Sequence, residues 1–466
     1  MKKRGHHLDA PRRSRSGLGD ALAIPALCLV QFVDVLGVTV VVTALPAMLA
    51  GVRARPSSAA LVLTGYAMCF GGLLMLGARL GDRYGHRRLL LLGLGAFAAA
   101  SLMAACAGAL APLIAARCLQ GAAAAVCVPN ALRLLIAAAP GERLRRRALA
   151  GWSATGAAAG ASGFLLGGAL TQLVGWRAVF WINVPLATLL AVTIVASAPR
   201  PSGLPRGGLD IAGAAVLTAA LMAAVGGASL LERPQQRAGG LLVLAGSGAL
   251  LGMFVRVERR ARDPLFPRVA ARDVRLRTAA AAAALNTATT SSAMTLASLY
   301  LQTTRGAGAA SAGLRLLPFS ACVVVGSTLA TRVLRHRAPR VGIGIGLAAI
   351  ALGDAVLLLL PAAEWLLPVG VAIAGAGIGV SSVAANALGT SLPAALQGVA
   401  SGALNTAAQL GTALGVSALL VVATVSRGTA LPFAGTRLAW SCAAAAALCG
   451  AVLAAAGGPG RLSHRR

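Results

Sequence analysis

Acidic and aromatic residues are both scarce in this chain of 466 residues. It contains 12 Asp and Glu beside 42 Lys and Arg, and charged residues make up only 12% of the sequence. A soluble domain of this size needs many more charges to cover its surface, so the composition excludes a water-soluble globular protein. Aromatic residues are only 4%. The basic residues therefore lack the stacking partners of a nucleic-acid-binding surface, and we expect no nucleic-acid partner.

The residue patterns of most catalytic and metal sites are also missing. The five histidines lie outside the apolar runs, and no two acidic residues share an apolar run. The eight cysteines fall inside apolar runs without a C-x-x-C pair, where a thiol behaves as a small hydrophobe. We therefore expect no metal, no cofactor and no enzymatic activity. A channel or sensor would show a repeated pore loop or a signalling domain, and we find neither.

Long apolar runs are what the chain has instead. Hydrophobic residues are 58% of the sequence, and the mean hydropathy is +0.80. Runs of about 20 residues, enough to cross a hydrocarbon layer of ~30 Å, recur from Ala21 to Gly457. They predict an all-α integral membrane protein with fourteen transmembrane helices. The predicted spans are 21–46, 58–80, 89–109, 111–138, 148–173, 178–198, 209–231, 239–255, 278–301, 311–331, 341–361, 365–390, 397–425 and 437–457.

The basic residues predict the orientation of these spans. With both termini cytoplasmic, 31 of the 42 Lys and Arg lie in the tails and even-numbered loops, 8 lie in the outer loops and 3 lie within spans. Loops rich in Lys and Arg stay on the cytoplasmic side. We therefore expect a multi-pass protein of the cell membrane, surrounded by lipid bilayer, with its Arg-rich loops inside.

An internal repeat predicts how the spans are grouped. Residues 326–337 repeat the glycine, the arginine and the terminal basic cluster of residues 77–88, and each segment follows the second span of its group. The predicted domains are a basic cytoplasmic tail (1–20), an N-terminal six-helix bundle (21–198), two inserted helices (209–255), a basic cytoplasmic loop (256–277), a C-terminal six-helix bundle (278–457) and a cytoplasmic tail (458–466). We interpret the eight arginines of the 256–277 loop as attracted to anionic lipid headgroups.

The loop between spans 2 and 3 carries the most informative motif. Its glycines permit close helix approach and sharp turns, and its charges suit the cytoplasmic side. It resembles the G-x-L-x-D-R-x-G-R-R-R loop of the major facilitator superfamily of secondary transporters, and the resemblance implies a role in gating. The alternative is a loop that only sets topology. The matching residues are Gly77, Gly81, Asp82, Arg83, Gly85, Arg87 and Arg88.

The fourth span contains Arg117 within an otherwise apolar run. Such an Arg costs ~2.5 kcal/mol or more at the centre of a bilayer, so it should face a wet cavity or a partner. The segment is similar to the R-x-x-Q-G pattern of proton-coupled facilitators, and the resemblance implies a role for Arg117 in proton coupling. We expect Gln120, Gly121 and Asn130 to lie with Arg117 on a face toward the cavity.

The first span resembles the L-D-x-T-x-V-N-V-A-L-P signature of fourteen-helix drug:proton antiporters. Gly37 stands at the position of the signature Asp, and Val42 stands at that of the Asn. Asp34 lies three residues earlier on nearly the same helix face, so it is a candidate replacement for the missing carboxylate. A carboxyl group within an apolar helix is a candidate proton carrier. The alternative is that Asp34 belongs to a packing network.

Small and amide residues supply the remaining candidates. Span 5 resembles the antiporter motif G-P-x-x-G-G, with Phe164 in place of the Pro, and its glycines predict close packing and gating. Uncharged polar residues of the last six spans are candidates for a substrate cavity, although such residues also join helices to one another. The glycines are Gly160, Gly163, Gly167 and Gly168, and the polar residues are Asn286, Asn386, Asn405 and Gln409.

These resemblances imply a monomeric, proton-coupled exporter of drugs or toxic metabolites that works by alternating access. Each proton that enters down ~100 mV would supply about 2.3 kcal/mol. The alternative within transport is an exporter or importer dedicated to one metabolite, amino acid or sugar.

The charge distribution yields a prediction about topology. In a variant without native cysteines, cysteines at Arg145 and Arg262 should react with a membrane-impermeant maleimide only from the cytoplasmic side. Labelling of either position from outside intact cells would contradict the fourteen-span topology.

Overall fold

Helices make up all the regular structure in the part of the chain that is described. The computed structural model describes residues 17–55, 58–197, 211–231, 234–260, 268–360, 363–425 and 432–456. A π-helical turn at Tyr300–Thr304 continues α11. The α-helices are α1 (Gly17–Gly51), α2 (Ala59–Tyr84), α3 (His86–Ala105), α4 (Leu110–Ala138), α5 (Glu142–Leu173), α6 (Ala178–Trp181), α7 (Asn183–Ser197), α8 (Ile211–Leu231), α9 (Arg237–Arg260), α10 (Arg268–Arg272), α11 (Val274–Leu299), α12 (Ala309–His336), α13 (Pro339–Leu357), α14 (Leu366–Gly389), α15 (Ala394–Val425) and α16 (Pro432–Ala456).

Each of the fourteen predicted spans corresponds to a long helix, with α6 and α7 together forming the sixth. Within the described residues, 12 helices are long and apolar enough to cross a membrane by length and composition. The two remaining long helices are α5, which begins with several arginines, and α11, which is rich in Ala, Thr and Ser. The protein is therefore an all-helical, multi-pass membrane protein.

The predicted boundaries differ from the structure at the Arg-rich helix ends. The α5 helix begins at Glu142 rather than at residue 148, and α12 continues to His336. The 256–277 segment was expected to be a loop, but α9, α10 and the start of α11 occupy much of it. Arg is a good helix former whose head group reaches water, so a helix continues beyond its apolar part. The predicted tails lie outside the described residues, except that α1 begins at Gly17.

Helix contacts are extensive within each half of the chain and also join the two halves. In the N-terminal half (α1 to α7), α4 packs against α1, α2 and α3, and α1 packs against α5 and α7. In the C-terminal half (α11 to α16), α14 packs against α11, α12 and α13, and α16 packs against α13 and α15. The halves meet where α5 contacts α12 and where α2 contacts α15. The α8–α9 pair packs against α2 and α15 through α8.

Equivalent glycines bring equivalent helices together in the two halves. Gly77 of α2 lies so close to Ala125 of α4 that a Cβ would overlap the Ala125 carbonyl. Gly326 of α12 has the same relation to Ala376 of α14. These two glycines are the residues that align in the sequence repeat, so the repeat corresponds to a repeated helix contact.

The contact between α1 and α5 depends on glycines in the same way. A Cβ on Gly163 would overlap the Thr39 side chain, and one on Gly167 would overlap the Val40 carbonyl. Small residues are what allow helices in a membrane to approach closely. The predicted packing role of these glycines agrees with these contacts.

The glycine contacts yield a prediction about stability. Gly167→Ala should lower the apparent melting temperature in detergent, because the added methyl group forces α1 and α5 apart at a cost of ~1–3 kcal/mol. Gly95→Ala in α3 is the matched control, since a Cβ there meets nothing within 4 Å. Equal melting temperatures for the two variants would contradict this account of the α1–α5 contact.

Candidate functional site

A cavity of about 560 Å³ lies between the two halves. Its volume falls within the range of small-molecule sites. The side from α1, α2 and α5 is mainly apolar and includes Val35, Val38, Leu63, Trp152 and Phe164. The side from the C-terminal half is rich in hydroxyl groups. These belong to Thr290, Ser291, Thr295, Ser320, Ser327, Ser382 and Thr412.

The cavity is closed at the end away from the Arg-rich loops. There, Ser298 Oγ donates to the Val42 carbonyl, and Gln302 Nε2 donates to the Thr43 carbonyl, each at 3.0 Å. The large apolar cluster at this end contains residues of both halves, whereas the two large clusters nearer the Arg-rich loops each belong to one half, and only smaller clusters join α2, α8 and α15. The two halves are therefore packed most continuously at this end.

A buried polar network lies beside the cavity in the N-terminal half. The Tyr66 hydroxyl donates to Asp34 Oδ1. The Arg117 guanidinium lies over the Tyr66 ring, with Cζ 4.7 Å from the ring centre. The exposed fractions of Asp34, Tyr66 and Arg117 are 8%, 0% and 1%. Tyr66 thus joins the two charged residues that the sequence identified, each through a different part of its side chain.

Neutral acceptors hold the Arg117 side chain. Nε donates to the Val62 carbonyl at 3.3 Å, and Nη1 donates to the Gly37 carbonyl at 3.2 Å and to Gln120 Oε1 at 2.9 Å. Gln120 Nε2 then donates to Ser101 Oγ at 2.7 Å. Among the described residues no ion pair joins Arg117 to Asp34. Arg117 lines the cavity, whereas Asp34 does not.

Three α4 residues predicted to line the cavity make their contacts elsewhere. Gln120 is buried against Ser101 of α3, and Gly121 is so close to Tyr66 that a Cβ would overlap its carbonyl. Asn130 lies beside the α2–α3 loop. Among the described residues of α4, only Arg117 lines the cavity, so the prediction for Gln120, Gly121 and Asn130 is wrong. The Gln120 and Asn130 side chains and the close approach at Gly121 hold helices together, a role that polar and small residues take in membranes.

The α2–α3 loop predicted at residues 77–88 is helical except at Gly85, which links α2 to α3, and Asn130 fastens this segment to α4. Asn130 Nδ2 donates to the Gly77 carbonyl at 3.0 Å, and its Oδ1 lies 2.8 Å from His86 Nδ1. His86 Nε2 lies 3.4 Å from Asp82 Oδ1. A Cβ on Gly81 would overlap the Asn130 amide, so the glycine is required for this contact. The sequence analysis places Asn130 on the cavity face of its helix, whereas here it holds the α2–α3 segment.

The same loop reaches α7 through an arginine. The φ angle of Gly85 is 98°, a conformation that favours glycine, and α2 ends there. Arg87 donates to the carbonyls of Ile194 and Val195 at 3.4 and 2.5 Å, near the end of α7. Carbonyls at a helix C-terminus lack partners within the helix, so a cationic donor is favourable there. Arg83 and Arg88 are exposed.

Of the remaining predicted residues, the α5 glycines lie at the cavity or at helix contacts, whereas the polar residues of the C-terminal half lie away from the cavity wall. Gly160 lines the cavity, and its carbonyl accepts from Ser320 Oγ at 2.7 Å, while Gly168 packs against Ala309. None of the four amide residues predicted for a substrate cavity is among the residues that line this cavity. Asn286 is buried away from it, Gln409 packs against Gly71, and the other two are exposed. These two are Asn386 and Asn405.

The hydroxyl residues that do line the cavity were missed by sequence reasoning. Four consecutive hydroxyl residues, Thr289 to Ser292, interrupt the apolar α11 sequence. That density is a usable signal, because a helix needs no hydroxyl groups where it faces lipid or apolar neighbours. Two of the four, Thr290 and Ser291, face the cavity.

Comparison with known proteins agrees with this architecture. The sequence profile described as Major Facilitator Superfamily matches residues 27–416. The cephamycin export protein of Amycolatopsis lactamdurans is 36% identical over 86% of this chain and 84% of its own length. The lincomycin resistance protein of Streptomyces lincolnensis is 33% identical over 88% and 85%. The tetracenomycin C resistance and export protein of Streptomyces glaucescens is 31% identical over 84% and 74%.

Solved structures share the fold at low sequence identity. A peptide transporter in complex with sulfate superposes with a TM-score of 0.71 at 17% identity, and the match covers 96% of each chain. A bacterial homologue of the human lysosomal transporter Spinster gives a TM-score of 0.68 at 15% identity, over 95% of this chain and 98% of that one. With the profile match and the relatives above 30% identity, these results establish that the chain belongs to the Major Facilitator Superfamily of membrane transporters.

Proposed function

We propose that this protein exports amphipathic small molecules, including antibiotics, and that proton entry drives the export. The observation that carries the proposal is the cavity between the halves, which combines an apolar side with a hydroxyl-rich side. The three relatives described above are named for the export of, or resistance to, cephamycin, lincomycin and tetracenomycin C. A cavity of this composition suits amphipathic molecules, since its walls offer both apolar and polar contacts.

The proposed orientation places the Arg-rich loops in the cytoplasm. The cavity, closed at the opposite end, then corresponds to a state that receives substrate from the cytoplasm. We propose that the two halves act as six-helix bundles that rock against each other, with α8 and α9 as an inserted pair. The protein then works as a monomer, because one chain contributes both sides of the cavity.

The buried network supplies a candidate route for coupling. Asp34 accepts from the Tyr66 hydroxyl, and the Tyr66 ring carries the Arg117 guanidinium that borders the cavity. A substrate or a proton that moves Arg117 would move Tyr66 and change the hydrogen bond to Asp34. In this proposal Asp34 carries the proton and Tyr66 links it to the substrate cavity.

The role of Asp34 can be tested directly. Asp34→Asn fixes a neutral mimic of the protonated side chain, so the protein should still exchange substrate but should not concentrate it when a proton gradient is imposed. The measurement is efflux from proteoliposomes with and without that gradient. Asp354→Asn is the matched control, since Asp354 is also a buried Asp in a span but lies outside the cavity and the network. Full gradient-driven transport by Asp34→Asn would remove Asp34 from the mechanism.

The α2–α3 loop yields a second test. Asp82→Asn weakens the contact with His86, which in turn meets Asn130 of α4, so it should alter the balance between conformations. We expect normal membrane expression and a transport rate lowered roughly 5-fold or more. Glu142→Gln removes an exposed acid from the same end of the protein and serves as the control. A wild-type rate in Asp82→Asn would show that the loop only sets topology.

A further inference from the structure

The charge on the cavity wall indicates which molecules the protein prefers. Building on the export function proposed above, we propose that the cavity selects amphipathic organic acids, such as carboxylates and phenolates, over organic cations. Arg117 is the one charged residue among the described residues that line the cavity. The remaining lining residues are apolar, hydroxyl-bearing or amide-bearing.

Arg117 has donor capacity left for a ligand. Its described hydrogen bonds use Nε and Nη1, and their acceptors are two main-chain carbonyls and one amide oxygen. No described residue accepts from Nη2. All three acceptors are neutral, so they orient the guanidinium without cancelling its charge. A carboxylate or phenolate in the cavity would supply both the missing acceptor and the missing negative charge, which makes such a hydrogen bond a strong one.

Asp34 does not compensate for the charge of Arg117 within the cavity. Asp34 Oδ1 is occupied by the Tyr66 hydroxyl, and Asp34 is absent from the cavity wall. An organic cation in the cavity would therefore meet a like charge and no carboxylate. In a poorly solvated cavity that repulsion is larger than in water, so it disfavours cations.

Arginines precede the cavity at its Arg-rich end. Arg145 and Arg146 of α5 lie seven residues before Trp152 and Ser153, which line the cavity, and a spacing of seven places them on the same helix face. Both arginines are exposed, and Arg146 pairs only loosely with Glu142, at 3.9 Å. A cluster of exposed positive charge near an opening raises the local concentration of anions. The exposed arginines near the cavity and Arg117 in its wall thus both favour anionic ligands.

The hydroxyl-rich wall indicates the rest of the ligand. Thr290 donates to the Asn286 carbonyl at 2.6 Å, Thr295 donates to the Ser291 carbonyl at 2.8 Å, and Ser320 donates to Gly160. Because each hydroxyl hydrogen is used in this way, the oxygens remain as acceptors toward the cavity. A ligand with hydroxyl or amide N–H groups opposite its acidic group would satisfy both walls.

Two dyes with the same ring system and opposite charge test the proposal. Fluorescein is an anion and rhodamine 123 is a cation at pH 7.5, and both have a xanthene core. Fluorescence anisotropy with the purified full-length protein would give the Kd of each dye, and Nile red would serve as an uncharged amphipathic probe. We expect fluorescein to bind about 10-fold or more tightly than rhodamine 123.

Variants locate the origin of the preference. Arg117→Gln should weaken fluorescein binding about 10-fold and leave Nile red binding unchanged. Arg133→Gln is the matched control, because it removes an exposed arginine from the same helix. If Arg117→Gln does not fold, Ser291→Asp tests the same idea by adding a carboxylate to the opposite wall. That variant should strengthen rhodamine 123 binding and weaken fluorescein binding.

The outcomes separate this proposal from the export function. Equal binding of the two dyes, tighter binding of rhodamine 123, or no binding of fluorescein would overturn the charge preference. Gradient-driven transport of rhodamine 123 in proteoliposomes would then still support export. Charge-selective binding with no transport of any dye under a proton gradient would support the preference and contradict the export function.

Discussion

The burial of one guanidinium group is the constraint on which the N-terminal half depends. Arg117 is 1% exposed within the membrane-spanning helix α4. A charge in that position is expensive unless polar groups surround it. The chain provides the Val62 carbonyl and the Tyr66 ring from α2, the Gly37 carbonyl from α1 and the Gln120 amide from α4 itself. The solvation of Arg117 therefore fixes α1, α2 and α4 relative to one another.

Glycines make this arrangement sterically possible. A Cβ on Gly121 would overlap the Tyr66 carbonyl, and one on Gly65 would lie 3.2 Å from Cys118 Sγ, so α2 and α4 meet along small residues. Close approach brings the α2 carbonyl and ring within reach of Arg117. Dispersion between small residues holds membrane helices together, because lipid provides no hydrophobic driving force between them. The helices α2 and α4 therefore pack closely and also provide hydrogen-bond acceptors for Arg117.

The sequence predicted the fold better than the site, and the reason is physical. Hydropathy and charge report on contact with lipid and water, so each predicted span falls on a long helix, but helix ends are misplaced where arginines extend a helix, as at Glu142. The cluster of Asp34 and Arg117 was predictable because a charge in an apolar helix requires an explanation. Which polar residue faces the cavity depends on helix rotation, and rotation is decided by contacts between helices. Asn286 and Thr290 lie one turn apart, yet only Thr290 lines the cavity.

The position of Asp34 in α1 bears on the proposed preference for anionic substrates. A Cβ at Gly37 would lie 3.6 Å from Phe97, an ordinary contact distance. An acid at that position would belong to the residue whose carbonyl already accepts from Arg117, so its negative charge would offset part of the guanidinium charge. In this chain the carboxyl group belongs to Asp34, one turn away, where Tyr66 engages it. With the acid at Asp34 instead of position 37, the N-terminal half keeps a protonatable group. The positive charge of Arg117 then remains available to a ligand in the cavity.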